Sequence, residues 1–193
     1  MTLITRETGI RVCLVRYAVG GRQKKPAKTC VPDLFDKVEL VLPSAKAGIA
    51  TDLLVAKEYN VLEKMRGIGN YDSLFYASNW AFLLAKNQYP ADLSETVYDL
   101  AERILIFFAS KPLPQAIYFK GLWLLVKTMG YPVKEDWFEN LAYDEREAAQ
   151  EILTTPLDEL KIDSRMLRHL VVRLERWLTY SHQFRFNGDG GKD

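Results

Sequence analysis

IRVCLVRYAV, residues Ile10–Val19, sets Ile10, Val12 and Leu14 in alternation with Arg11 and Arg16, the period of two that belongs to a β-strand and not to a helix. Three neighbouring runs share its strand-forming composition: TLIT at Thr2–Thr5, DKVELVL at Asp36–Leu42 and TDLLVAKEY at Thr51–Tyr59. Gly9, Gly20, Gly21, Pro32 and the segment 43–48 separate them with turn chemistry. Four short strands of this kind predict a small barrel or meander, one strand short of an ordinary closed barrel.

From Tyr71 onward the period changes. Leu74, Tyr76, Ala77, Trp80, Ala81 and Leu84 recur at helical spacing, as do Leu93, Val97, Leu100, Ala101, Ile104, Leu105 and Phe108. Asp92 with Glu95 resembles a capping box, and Thr155, Pro156 and Asp158 read as a cap, a first-turn proline and a carboxylate at a helix start. Gly130 after LWLLVKTM predicts a left-handed helix stop. A last long helix is expected from Asp163 to about Phe186, burying Leu167, Leu170, Val171, Leu174, Trp177 and Leu178. The expected organisation is a β domain over 1–66, a linker at Gly67–Asn70, a helical domain over 71–186 and a disordered tail over 187–193, which has no apolar side chain.

The formal net charge of +1 hides an asymmetry. Residues 1–28 hold seven cations, Arg6, Arg11, Arg16, Arg22, Lys24, Lys25 and Lys28, against one acid, Glu7, a balance of +6; the rest of the chain balances at −5, with 19 basic and 24 acidic residues. A polyanion meets the N-terminal part first. Four of the cations crowd into GRQKKPAK (Gly21–Lys28) beside Gly20, with no local acid to offset their repulsion. Two readings compete: a solvated hairpin loop whose lysines aid solubility, and a phosphate-backbone contact with nucleic acid, continued by Arg11 and Arg16 and with Tyr17 available for stacking. Arg11 and Arg16, five residues apart, face opposite ways on a regular strand unless a bulge intervenes.

Catalytic signatures are missing: the sequence has no phosphate-binding loop, no G-x-S-x-G and no H-E-x-x-H. Asp144, Glu145 and Glu147 sit where a helix start accounts for them. His169 and His182 read as surface residues, and the aromatic sets Tyr118, Phe119, Trp123 and Trp137, Phe138 as core. Two distant cysteines, Cys13 and Cys30, do not make a zinc motif. With no apolar run long enough for a signal peptide or a membrane span, a cytoplasmic protein is expected. Arg165, Arg168, Arg173 and Arg176 on the last helix are either a solvated flank or a dock for an acidic peptide or DNA.

TLITRETGIRVCLVRYAVGGRQKK followed by LFDKVEL resembles the N-terminal domain of the bacterial recombination mediator family RecO, through Thr5, Arg6, Glu7, Gly9, Ala18, Gly20, Arg22, Lys25, Leu34, Phe35, Glu39 and Leu40. YASNWAFLLAKN (Tyr76–Asn87) and YFKGLWLLVKTMGYP (Tyr118–Pro132) are similar to later segments of the family, in the same order. The resemblance implies an α+β chain: an N-terminal OB-like β-barrel followed by an all-α helical domain. Met1 falls where the family has its second strand, which implies a late-assigned start, a fragment or an open barrel with an exposed edge. Some members bind zinc through cysteines after the G-Y segment; VKEDWFENLAYDE has none, so no metal or other cofactor is expected.

The implied function is non-enzymatic: binding single- and double-stranded DNA, annealing strands and helping RecA load in the RecF-RecO-RecR pathway. Implied partners are RecR and the acidic C-terminal tail of single-stranded-DNA-binding protein, with no membrane. DNA contact is expected from Arg6, Arg11, Arg16, Arg22, Lys24, Lys25 and Lys28. Docking of the tail is a physical guess placed on Arg165, Arg168 and Arg176 beside Leu167 and Val171. The rivals are a helical protein-interaction module without DNA affinity and an RNA-binding OB protein.

Overall fold

The alternating N-terminal runs form antiparallel strands β1 (Thr2–Thr5) and β2 (Gly9–Val15), with Thr2 opposite Val12 and Thr5 opposite Gly9. This computed structural model describes residues 1–15, 31–42 and 53–187, with Val15, Leu53 and Leu54 described by backbone alone. Gly9 takes φ +68°, a conformation that a side chain disfavours, and closes the β1–β2 turn. Inside that turn the Thr5 hydroxyl accepts from Thr8 N–H (3.2 Å) and donates to the Gly9 carbonyl (2.9 Å).

β3 (Lys37–Val41) pairs antiparallel with β5 (Glu58–Glu63), and β4 (Leu53–Ala56) pairs parallel with β2. The run expected to be one strand, Thr51–Tyr59, breaks at Lys57: β4 and β5 are two arms of one bent strand that serves two sheets. Five segments therefore replace the expected four, in the order β1, β2, β4 with β5, β3. Among the described residues the barrel does not close, and β1 and β3 are the outer strands.

Among the described residues five α-helices follow: α1 (Tyr71–Lys86), α2 (Ser94–Ser110), α3 (Pro114–Thr128), α4 (Tyr143–Thr154) and α5 (Ser164–His182). α3 is apolar around most of its circumference and becomes the central helix, with Ala116, Ile117, Phe119, Leu122, Leu125 and Val126 fully enclosed. Gly121 lets α1 and α2 approach it: a Cβ there would lie 3.3 Å from both Trp80 and Ile104. The expected stop at Gly130 is present, at φ +79° with Tyr131 N–H returning to the Val126 carbonyl (3.2 Å). The aromatic sets expected in the core are there. Tyr118, Phe119 and Trp137 are buried, and Trp123 and Phe138 pack against them.

Three local expectations fail. Asp92 does not cap α2; the chain makes a short 3₁₀ turn at Ala91–Leu93, and Leu93 occupies the cap position without a side-chain bond. No helix starts at Pro156, because Lys111 takes the Asp158 carboxylate (2.6 Å) and Lys120 the Thr155 carbonyl (2.6 Å). Asp163 caps α5 instead, accepting from Met166 N–H (3.4 Å). α5 ends at His182, where Gln183 turns left-handed (φ +57°) and sends Phe184 and Phe186 back into the core. Asn87 holds that return by bonding both the N–H and the carbonyl of Arg185 (2.9 and 3.1 Å). The tail expectation lies outside the described residues, apart from Asn187, which bonds Asn79 (3.0 Å).

The connection from β5 to α1 runs close to the end of α2. A Cβ on Gly67 would stand 2.4 Å from the Ala109 carbonyl oxygen, an overlap with backbone that no rotamer relieves. Gly67→Ala is therefore expected to lower stability by about 1–3 kcal/mol, the range for overpacking, measured by urea unfolding, whereas Gly69→Ala, with nothing within 4 Å, leaves the midpoint nearly unchanged.

Candidate nucleic-acid interface

Of the seven cations expected to meet DNA, Arg6 and Arg11 are described; Arg16, Arg22, Lys24, Lys25 and Lys28 lie outside the described residues, as do Tyr17 and Cys30. Arg11 is exposed on β2, opposite Leu3, and makes no ion pair among the described residues. Arg6 is engaged. Projecting from the β1–β2 turn, it reaches Glu95 (3.0 Å) and Asp99 (2.7 Å) and lies over the Tyr98 ring at 4.9 Å. Lys37 of β3 reaches Glu102 (2.6 Å). Glu95, Asp99 and Glu102 stand at i, i+4 and i+7 on one face of α2, so an acidic row on the helix holds the cations of the sheet. That spacing was readable in the sequence; its partners, 65 to 93 residues away, were not.

An apolar strip lies on the face of β2 opposite Arg11. Val12 and Leu14 of β2 and Val55 of β4, which stands opposite Leu14, are all exposed. Ile4 of β1 and Ile10 of β2, with Phe35 at φ +68°, pack onto the helical core instead. Cys13 is buried on the opposite face.

On α5 the four arginines divide. Arg173 bonds Glu145, which also bonds His169 Nε2 (2.6 Å) and the Ala142 N–H (2.9 Å). His169 is thus a partner of a buried carboxylate, and His182, expected at the surface, is packed between Tyr131 (4.3 Å between centroids) and Trp177 (4.5 Å). Burial lowers the His182 pKa. Leu167 and Val171 are core residues, as expected of the last helix, and so offer no apolar surface to a tail docked beside them. Arg168, itself exposed, lines a cavity of about 200 Å³ together with Tyr76, Leu113, Pro114, Ile162 and Leu167. Arg165 and Arg176 are not in its lining; they share the outward face of α5 with exposed Val172 and Tyr180.

Among the described residues no cluster of three His, Cys, Asp or Glu side chains can hold a metal ion, and no helix is long and apolar enough to cross a membrane. Compared with known proteins, the chain matches no family model and no curated sequence.

Burial would raise the Glu145 pKa, but the bonds from Arg173, Ala142 N–H and His169 outweigh it and hold the carboxyl at about 2. Its folded value lies below the unfolded one, so its stabilisation is complete above the usual carboxylate pKa of 4.5 and fades as pH falls from there towards 2. Glu145→Gln is expected to destabilise the protein at pH 7 and to flatten that acid limb, measured by urea unfolding from pH 7 down to 2.5.

Proposed function

We propose that this chain is a non-enzymatic DNA-binding protein of the RecO kind, which holds single- and double-stranded DNA on its N-terminal part and brings complementary strands together. The observation that carries the reading is the strand order. A bent strand, β4 with β5, joins β2 in parallel and β3 in antiparallel pairing, and one further strand between β1 and β3 would complete a five-stranded barrel of the OB type. Such barrels bind single strands in a positive groove with stacking residues. The +6 balance of residues 1–28 and the exposed Arg11 suit that use.

Annealing then follows from charge neutralisation: cations lower the repulsion between two strands held close together. Arg6, occupied by Glu95 and Asp99, contributes to this only by leaving them. RecR and the acidic tail of single-stranded-DNA-binding protein are the proposed partners, the tail lying along Arg165 and Arg176 with Val172 between them. The proposed setting is the cytoplasm, with help to RecA loading as the outcome.

Fluorescence anisotropy of a labelled single-stranded oligonucleotide at several salt concentrations tests the reading. A log–log slope of about −0.7 per neutralised phosphate, summing to several contacts, is expected. Reversing Lys24, Lys25 and Lys28 to Glu should abolish annealing while leaving the unfolding midpoint unchanged. Annealing that survives the reversal removes the basic loop from the mechanism, and absence of binding by the wild-type chain at low salt leaves the helical protein-interaction reading in its place.

A further inference from the structure

The N-terminal turns of α1, α3 and α5 converge on the cavity that Arg168 lines, with Asp72 and Tyr76, Leu113 to Gln115, and Ser164 and Leu167 around it. Just outside, on α1, Tyr71 is 79% exposed and Phe75 45% exposed. Their rings stack, 6.3 Å between centroids and 19° from parallel, and Phe75 meets Tyr76 edge-on at 5.1 Å. Leu74 beside them is exposed as well. A surface ring pair of this size is left in water at a cost, since burying such rings is strongly favourable.

We propose that this face is a second contact for single-stranded nucleic acid, in which bases stack on Tyr71 and Phe75 and a phosphate meets Arg168. Three observations favour that occupant. Arg168 makes no ion pair among the described residues, and Asp72 is the single carboxylate in the cavity lining. The start of α3, with no acid in its first turn and no side-chain cap, adds positive potential at the same place. Ring faces accept any base. The inference rests on the DNA-binding reading above and extends it from phosphate capture by the loop to base capture by a helix.

The test compares two labelled strands of equal length, oligo-dT and an abasic deoxyribose-phosphate chain, in anisotropy titrations. Both rings are at the surface, so Tyr71→Ala/Phe75→Ala should fold normally, which its unfolding midpoint checks. That variant is expected to lose at least about fivefold in affinity for oligo-dT, the low end of base–aromatic stacking, and to keep its affinity for the abasic chain. Arg168→Gln should weaken both strands and reduce the salt slope by about 0.7. Unchanged oligo-dT affinity in the ring variant, with the Lys24, Lys25, Lys28 reversal abolishing binding, overturns this inference and leaves the N-terminal reading standing. No oligonucleotide binding by the wild-type chain overturns both. Loss of binding to an acidic apolar peptide, with oligonucleotide binding intact, overturns it too and assigns the face to a protein partner.

Discussion

The enclosure of α3 is the constraint on which the helical part depends. A helix apolar on most sides is stable only when neighbours cover it, and close approach is possible because residue 121 has no side chain. α1 and α2 then lie against it through Trp80 and Ile104, and α5 is held by the buried Tyr118 hydroxyl donating to Glu175 (2.8 Å). The outer faces of those surrounding helices are free to carry charge. α2 turns its acidic row towards the sheet, α5 its Arg165 and Arg176 towards solvent, and α1 its exposed rings towards the rim of a cavity.

The coupling of sheet to helices has a different character. Ile4, Ile10 and Phe35 supply apolar contact, but the visible links are ion pairs between half-exposed side chains, Arg6 with Glu95 and Asp99 and Lys37 with Glu102. Pairs of this exposure contribute little stability each and are weakened by salt. The joint between the two parts of the molecule is thus the place in the described structure where salt is expected to act most directly.

What the sequence disclosed was whatever is written in local period. The strand runs, α1 to α3 and the long α5 follow from spacings of two and of three to four residues, and the stop at Gly130 from a glycine placed just after an apolar helical run. Non-local competition bore on the failures: Asp158, expected as a carboxylate at a helix start, pairs instead with Lys111, 47 residues away. Glu145 read as an ordinary first-turn acid because His169 and Arg173, 24 and 28 residues on, could not be seen to close over it. Of the candidate site, the positive segment was legible as composition, whereas the occupation of Arg6, the placing of Arg168 at a cavity and the exposure of Tyr71 and Phe75 depend on how helices pack.

Lys57 gives the β part an unusual dependence. On its N-terminal side Ala56 is buried and Val55 exposed; on its C-terminal side Tyr59 and Val61 are the half-buried positions, so the alternation changes parity across this one residue. Lys57 N–H bonds the Val41 carbonyl (2.9 Å), which anchors the bend to β3. The registers of the parallel and antiparallel pairings are therefore geared together: a one-residue shift in either arm would turn the wrong faces of both inward. Evolution can lengthen the connections around this sheet with little consequence, but insertions or deletions at the bend would be felt in every strand at once.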